Sequence, residues 1–469
     1  MPNNSPNFIS KFFKLFSQAL FGKEEDYTSG SIRKAVFLLS IPMIAEMLLE
    51  GCFALIDILY VSRVGVNAMA TVGLTEAVVT LLYAIAIGLS MATTAIVARR
   101  IGEKNPKQAS IAGAQAIIIG STVSIILAII GILFPKEILA LMGAEKDLIE
   151  EGYGYTQILI GGNLSIMLLF LINAIFRGAG SAKIAMLSLG LASLLNIILD
   201  PIFIFGWGPI PAMGVKGAAI ATTIGRGTAV LFQIYMLQSG KSPIVIGFKQ
   251  LKLKTKIMFN LVKISLGGIG QFLIGTSSWM FLMRLVAEFG SEVLAGYVLA
   301  IRIIMFTILP AWGMSNAAAT LVGQNLGAKL PERAEKSVWI TAKYNVIFML
   351  LISILYIGFA DPLVFLFTQD SEVVKYGAMA LRLIATGYVF YGFGMVLTQA
   401  FNGAGDTKTP TLINFISYWL FQLPLAYLAA IYFEKGPNAV FLSIAIAETL
   451  LAILAIYIFR KGKWKSIDI

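Results

Sequence analysis

The sequence predicts an all-α integral membrane protein with twelve transmembrane helices. They form two six-helix bundles related by a pseudo-two-fold axis along the membrane normal. Three observations predict this fold. Of 469 residues, 58% are hydrophobic and 13% charged, and mean hydropathy is +0.83; soluble domains carry charge at about a quarter of their positions. Twelve windows reach the length of about 20 mostly apolar residues that a helix needs to cross roughly 30 Å of hydrocarbon. The chain also repeats itself at a fixed offset of 225 residues.

The windows fall at 34–62, 68–98, 109–135, 150–177, 184–207, 216–238, 258–288, 293–323, 335–359, 373–402, 410–433 and 437–459. Uninterrupted apolar runs of this length leave no room for the in-out alternation of a barrel strand, so the spans are helical. The expected organisation is an N-terminal segment (1–33), a first lobe (34–238), a linker (239–257), a second lobe (258–459) and a tail (460–469). Loops on the side of the two termini hold 24 Lys and Arg against 6 on the other side. The positive-inside rule therefore makes both termini cytoplasmic in a multi-pass protein of the cell membrane. The formal net charge of +11 sits in short loops abutting the spans, where membrane lipids account for it and nucleic acid is not expected. Residues 7 to 22, NFISKFFKLFSQALFG, have neither an h-region nor a cleavage site, so no cleaved signal peptide is read there. Their Phe and Leu clusters around Lys11 and Lys14 suit an interfacial helix or a loosely ordered tail.

Cys52 is the single cysteine and histidine is absent. Intramolecular disulfides, zinc sites, Ser-His-Asp triads and His proton relays are thereby excluded, so neither an enzyme nor a resident cofactor is expected.

The repeat sets GLSMATTAIVARRIGEKNPKQA (88–109) on GMSNAAATLVGQNLGAKLPERA (313–334). The same register sets FRGAG (176–180) on FNGAG (401–405). Six helices per half give both halves the same topology, and a parallel repeat of this kind places a midplane cavity between its halves.

The halves differ in their acids. Glu46, Glu50, Asp57, Glu76 and Asp200 lie within first-half spans, while Gln271, Gly275, Leu282 and Ile301 at the repeat offset are neutral, as is Leu423, which a local alignment of Pro201 on Pro424 sets against Asp200. A carboxylate on a spanning helix costs about 2.5–3.5 kcal/mol on insertion scales, which assigns the ion chemistry to the first half. At 100° per residue Glu46, Glu50, Phe53 and Asp57 share one stripe, and Asn196 and Asp200, four apart, share a face. Asp57, Asp200 and Thr222 fall at one depth. Pro201 should bend its helix and free carbonyls near Asn196 and Ile197. Such an oxygen-rich nest suits Na⁺, and the same carboxylates, repelling one another in a low dielectric, suit H⁺ equally. Arg226 reads either as part of the machinery or as a counter-ion, and Glu46 as an ion ligand or a packing residue. Arg284, Arg302, Arg382 and Lys343 are expected to snorkel, or to pair with Glu288 and Glu448. The stretches WMFLM (279–283), IIMFTILPAW (303–312) and GYVFYGFGM (387–395) add aromatic and Met side chains. A cavity acidic on one wall and aromatic on the other favours lipophilic organic cations.

These motifs, with GVKGAAIATT at the sixth span, resemble the multidrug and toxic compound extrusion (MATE) family over nearly the whole chain. Asp57 together with LNIILDP resembles its DinF-like branch. The resemblance implies a V-shaped, alternating-access antiporter that exports organic compounds against Na⁺ or H⁺, with a monomer expected. It implies cation coordination, with Na⁺ as the metal, by Asp57, Asn196, Asp200 and Thr222. Glu50, Phe53, Glu76, Tyr155 and Asn173 are expected to line the substrate cavity. The NorM-like branch would carry acids on the seventh and tenth spans; Gln271 and ATGYVFYGFGMV supply none. A lipid-linked oligosaccharide flippase of the same superfamily is the alternative, for which a cationic central cavity is expected.

Overall fold

The computed structural model describes residues 8–22 and 25–469; residues 1–7, Lys23 and Glu24 of the expected N-terminal segment lie outside the described residues. Helix α1 (Phe8–Phe21) packs against α2 (Ile32–Val61), burying Ala19 while Phe21 stays exposed, so an amphipathic helix and not a loose tail precedes the first span. The first bundle continues with α3 (Val66–Gly102), α4 (Pro106–Leu133), the short α5 (Pro135–Leu141), α6 (Lys146–Gly161), α7 (Asn163–Ala179), α8 (Ala182–Phe205) and α9 (Val215–Gln238). The second holds α10 (Thr255–Ala287), α11 (Ser291–Gly327), α12 (Pro331–Phe365), α13 (Ser371–Ala385), α14 (Tyr388–Ala404), α15 (Lys408–Asn414), α16 (Leu423–Tyr427) and α17 (Pro437–Arg460).

Among the described residues, ten spans are long and apolar enough to cross a membrane, or eleven when α13 and α14, bent by 57°, count as one. The 24-residue α9 is the twelfth; buried Arg226 and Gln233 make it the most polar. The fold is the all-helical membrane architecture that the composition predicts.

The repeat is visible in the backbone. Gly180 and Gly405, 225 residues apart, end their helices at φ +90° and +88°, and Lys104 and Lys329 take φ +58° and +59°. The first Lys leads into Asn105, whose side chain accepts the Gln108 N–H at 3.2 Å, and Pro106 opens α4. Both halves also break their fourth span, at Gly162 and Gly387, again 225 apart, where one continuous helix was expected. At the first break the Asn163 amide takes over the loose backbone, donating to the carbonyls of Ile160 (2.6 Å) and Ser124 (3.2 Å). A side chain at Gly387 would meet the Ala445 backbone at 2.7 Å.

The bundles meet through α2 on α11 and α3 on α10. Side-chain hydrogen bonds between them gather at the face that carries the termini. Gln324 donates to the Gly178 carbonyl (3.0 Å), Thr320 to that of Arg177 (3.1 Å) and Arg99 to that of Ala404 (3.2 Å). Arg333 binds the carbonyls of Tyr27, Ser29 and Gly30 in the segment ahead of α2, while Arg99 and Arg100 bind those of Ile467 and Ile469 in the tail. The crossing helices touch backbone to backbone there: a side chain on Gly102 would collide with the Gln324 carbonyl, and one on Gly327 with that of Arg99. Asp26 fastens the same segment to Lys104 at 2.7 Å. Burial pushes its carboxyl up, but the Lys104 and Thr28 donors outweigh this and hold it at about 2. The pair therefore contributes above the ordinary carboxylate value and is lost only as pH falls towards 2.

Candidate cation site and central cavity

Asn196, Asp200 and Thr222 come together in the first bundle, within about two turns of the helix ends remote from the termini, and Asp57 lies at the same end of α2. The Asn196 side-chain amide donates to Asp200 Oδ1 at 3.0 Å and to Thr222 Oγ1 at 3.2 Å, and neither Asn196 nor Asp200 has any exposed surface. Close packing of α8 on α9 makes this possible, because a Cβ at Gly225 would lie 3.0 Å from the Ala192 carbonyl. Thr223 turns away, donating at 2.8 Å to the Ala219 carbonyl of its own helix, so of the adjacent pair it is Thr222 that faces the nest. Asp57 approaches from α2, and its charge acts on Asp200.

Three acceptors here are buried without a donor: Asp57 Oδ1, Asn196 Oδ1 and Asp200 Oδ2. An unsatisfied buried polar atom costs about 1–3 kcal/mol, so three acceptors without donors on α2 and α8 are a cost that packing alone does not explain. Helix α8 runs unbroken through Pro201, so the proline does not interrupt the helix. It still lacks the N–H that the Ile197 carbonyl would accept.

Arg226 lies among the remaining acids. It donates to the Tyr83 hydroxyl at 3.0 Å, stands 3.9 Å from Glu50, and covers the Phe53 ring at 4.9 Å. Its charge also acts on Asp57 and Glu76. Glu46 is engaged separately: its Oε1 accepts from Arg177 at 2.7 Å and from Asn173 at 3.0 Å. Five in-span carboxylates of the first half thus face two guanidinium groups, Arg177 and Arg226, so these acids outnumber the cations that reach them by three. Among the described residues no cluster of three or more His, Cys, Asp or Glu side chains is arranged for a metal ion. The nest offers two carboxylates, an amide and a hydroxyl, a donor set for a singly charged ion.

Removing one partner of a buried ion pair costs about 3–5 kcal/mol, because the other charge is stranded. Arg177→Ala is therefore expected to lower the melting temperature in detergent markedly, and adding Glu46→Gln to recover most of it. An unchanged Arg177→Ala protein would contradict the pairing.

A central cavity opens between the bundles as two adjoining chambers of about 270 and 470 Å³. Both share Phe272, Leu309, Trp312, Gln399 and Asn402. Of the five residues expected on its wall, Glu50 and Asn173 line the first chamber. Phe53 is instead buried beneath Arg226, Tyr155 is buried in the apolar cluster with Val72, Leu159 and Ile204, and Glu76 lies exposed on α3. Glu76 and Tyr155 nevertheless share the electrostatic surroundings of Asp57.

One second-half acid has a different partner from the one its sequence suggests. Glu448, expected to pair with a cation of its own half, accepts from the Tyr418 hydroxyl at 2.9 Å and lines the second chamber. Two of the four expected cations are engaged elsewhere, Arg382 with Asp361 and Arg284 loosely with Glu288. At the repeat offset Glu448 stands opposite the neutral Thr223, so comparing the halves from the second to the first singles it out, as does a lone acid centred in an apolar span.

The family model MatE matches residues 42–202 and again residues 269–428, one match in each half. A probable multidrug resistance protein, NorM, of Thermotoga maritima is 27% identical over 93% of this chain and 94% of its own. An FAD transporter of Shewanella oneidensis is 24% identical over 92% and 95%. A solved structure described as the outward-facing conformation of a multidrug resistance MATE family transporter superposes with a TM-score of 0.87, at 28% identity, over 92% of this chain and 96% of that one. With the repeat, the helix count and the cavity between the bundles, these matches show that the chain belongs to the MATE family, whose members are transporters and not enzymes.

Proposed function

We propose that this protein exports organic compounds by antiport, with the ion held at Asp57, Asn196, Asp200 and Thr222 and the compound in the central cavity. The observation that carries the reading is the set of three donorless buried oxygens among in-span acids that outnumber their guanidinium partners. In the membrane such groups are retained when they bind or move ions. A proton or Na⁺ satisfies them equally well, and both remain candidates. The pairing of Asp57 with LNIILDP supports the DinF-like branch. The multidrug resistance assigned to the Thermotoga relative supports the substrate class. The face carrying the termini is read as cytoplasmic, from the loop charges, and the protein as a monomer of the cell membrane surrounded by lipid.

A lipid-pyrophosphate flippase is not favoured. The two guanidinium groups near the cavity, Arg177 and Arg226, already face Glu46 and Glu50. Purified protein in proteoliposomes, given a Na⁺ gradient and a pH gradient separately, should drive uphill movement of a cationic dye under at least one of them. Absence of uphill movement under both would reject antiport.

A further inference from the structure

The second bundle contains a carboxylate that the coupling nest does not use. Glu448 sits eleven residues into the 24-residue α17, at roughly 16 Å from its start and so near the middle of the span. The residue is 8% exposed; Oε1 accepts from Tyr418, and Oε2 is buried with no donor. Among the described residues, the 470 Å³ chamber that it lines has no Lys or Arg on its wall, and Glu448 is its one charged residue. Trp279, Trp312, Phe272 and Tyr391 supply aromatic surface around it.

A second observation singles out the same place. The eleventh span leaves α-helical geometry for π-helical turns over Phe415–Gln422, and Tyr418 lies on them. Such turns are rare and gather at functional sites. In the first half the equivalent helix, α8, stays α-helical through its proline. The departure is therefore local to the bundle that holds Glu448. It coincides with the hydroxyl that meets the carboxylate.

We infer that Glu448 and its aromatic surround form a recognition site in the second bundle for the charged centre of a bulky organic cation, separate from the coupling nest. This rests on the export reading and gives its cavity a charge-selecting residue. An inorganic ion is poorly served here, since one carboxylate and a donating hydroxyl offer too few oxygens. A delocalised organic cation needs no tight oxygen shell: a single buried carboxylate and ring faces within reach of its charge suffice. A neutral aromatic compound of similar bulk would use the rings and gain nothing from the acid.

The test is equilibrium binding to the purified full chain, with tetraphenylphosphonium as the cationic probe and triphenylphosphine oxide as the neutral one. Glu448→Gln keeps the side chain's shape and removes its charge. It is expected to weaken tetraphenylphosphonium binding about tenfold or more, as loss of a charged contact does, and to leave the neutral probe unchanged. Tyr418→Phe, which keeps the charge, should retain cation binding within about threefold. Equal binding of the cation to wild type and Glu448→Gln, or an equal loss for both probes, would overturn the assignment. If Glu448→Gln is indifferent while wild-type vesicles still export, the recognition site fails and the antiport reading stands. Charge-dependent binding without gradient-driven export would keep the recognition site and reject antiport.

Discussion

Asp200→Asn is expected to abolish gradient-driven export while leaving the protein as stable as the parent, or more so. Asp200 Oδ2 and Asn196 Oδ1 are both buried acceptors without donors, one turn apart on α8. An amide at 200 supplies the N–H that such an acceptor lacks, at a position where the deficit costs about 1–3 kcal/mol. On the antiport reading it also removes the charge that draws the ion. Function and stability should therefore move in opposite directions, the signature of a group kept for its work. Asp57→Asn should likewise stop uphill export, since its Oδ1 is the third donorless oxygen. The measurements are dye accumulation in proteoliposomes and a melting curve in detergent. Uphill export persisting in both variants would remove the nest from the mechanism.

Gly102→Ala is the second substitution with a large expected effect, at the opposite end of the molecule. The added methyl would collide with the Gln324 carbonyl, and Gly327→Ala would do the same against Arg99. A backbone cannot step aside as a flexible side chain can, and overpacking of this kind typically costs about 1–3 kcal/mol. The cost falls only on the state in which α3 and α11 touch. A shift of that size changes the ratio of the two states by about five- to 150-fold. A cysteine at the cavity-lining Thr94, in a Cys52→Ser background, should then label much faster with an impermeant maleimide applied from the face carrying the termini. Unchanged labelling would mean that the glycines do not govern closure.

Much of the fold is legible because membrane burial makes sequence patterns blunt. Twelve apolar windows and the 225-residue repeat lead to the architecture, the α8 part of the nest follows from the four-residue spacing of Asn196 and Asp200, and Thr222 on α9 from its matching depth. The features that sequence patterns do not reveal depend on tertiary contacts. The breaks at Gly162 and Gly387 share the repeat offset, yet apolar residues on both sides mask them from a hydropathy window. Phe53 shares a helical stripe with Asp57 but is claimed by Arg226, which arrives from a helix remote in sequence. Tyr155 is drawn into apolar packing, which its hydroxyl gives no hint of. The π turns around Tyr418 have no sequence signature beyond Pro424, and Pro201 at the corresponding place leaves a plain α-helix.

The fastening between the two bundles has a consequence for how the transporter would answer its surroundings. Arg99, Thr320, Gln324 and Arg333 all grip backbone carbonyls across it, acceptors that neither titrate nor pair with salt ions. Contacts made this way are indifferent to pH on that face and only weakly sensitive to ionic strength, and the Asp26–Lys104 pair beside them gives way only near pH 2. Command over the rocking cycle would then belong to the occupants of the nest and the chambers, with the closed end acting as a constant spring against which they work.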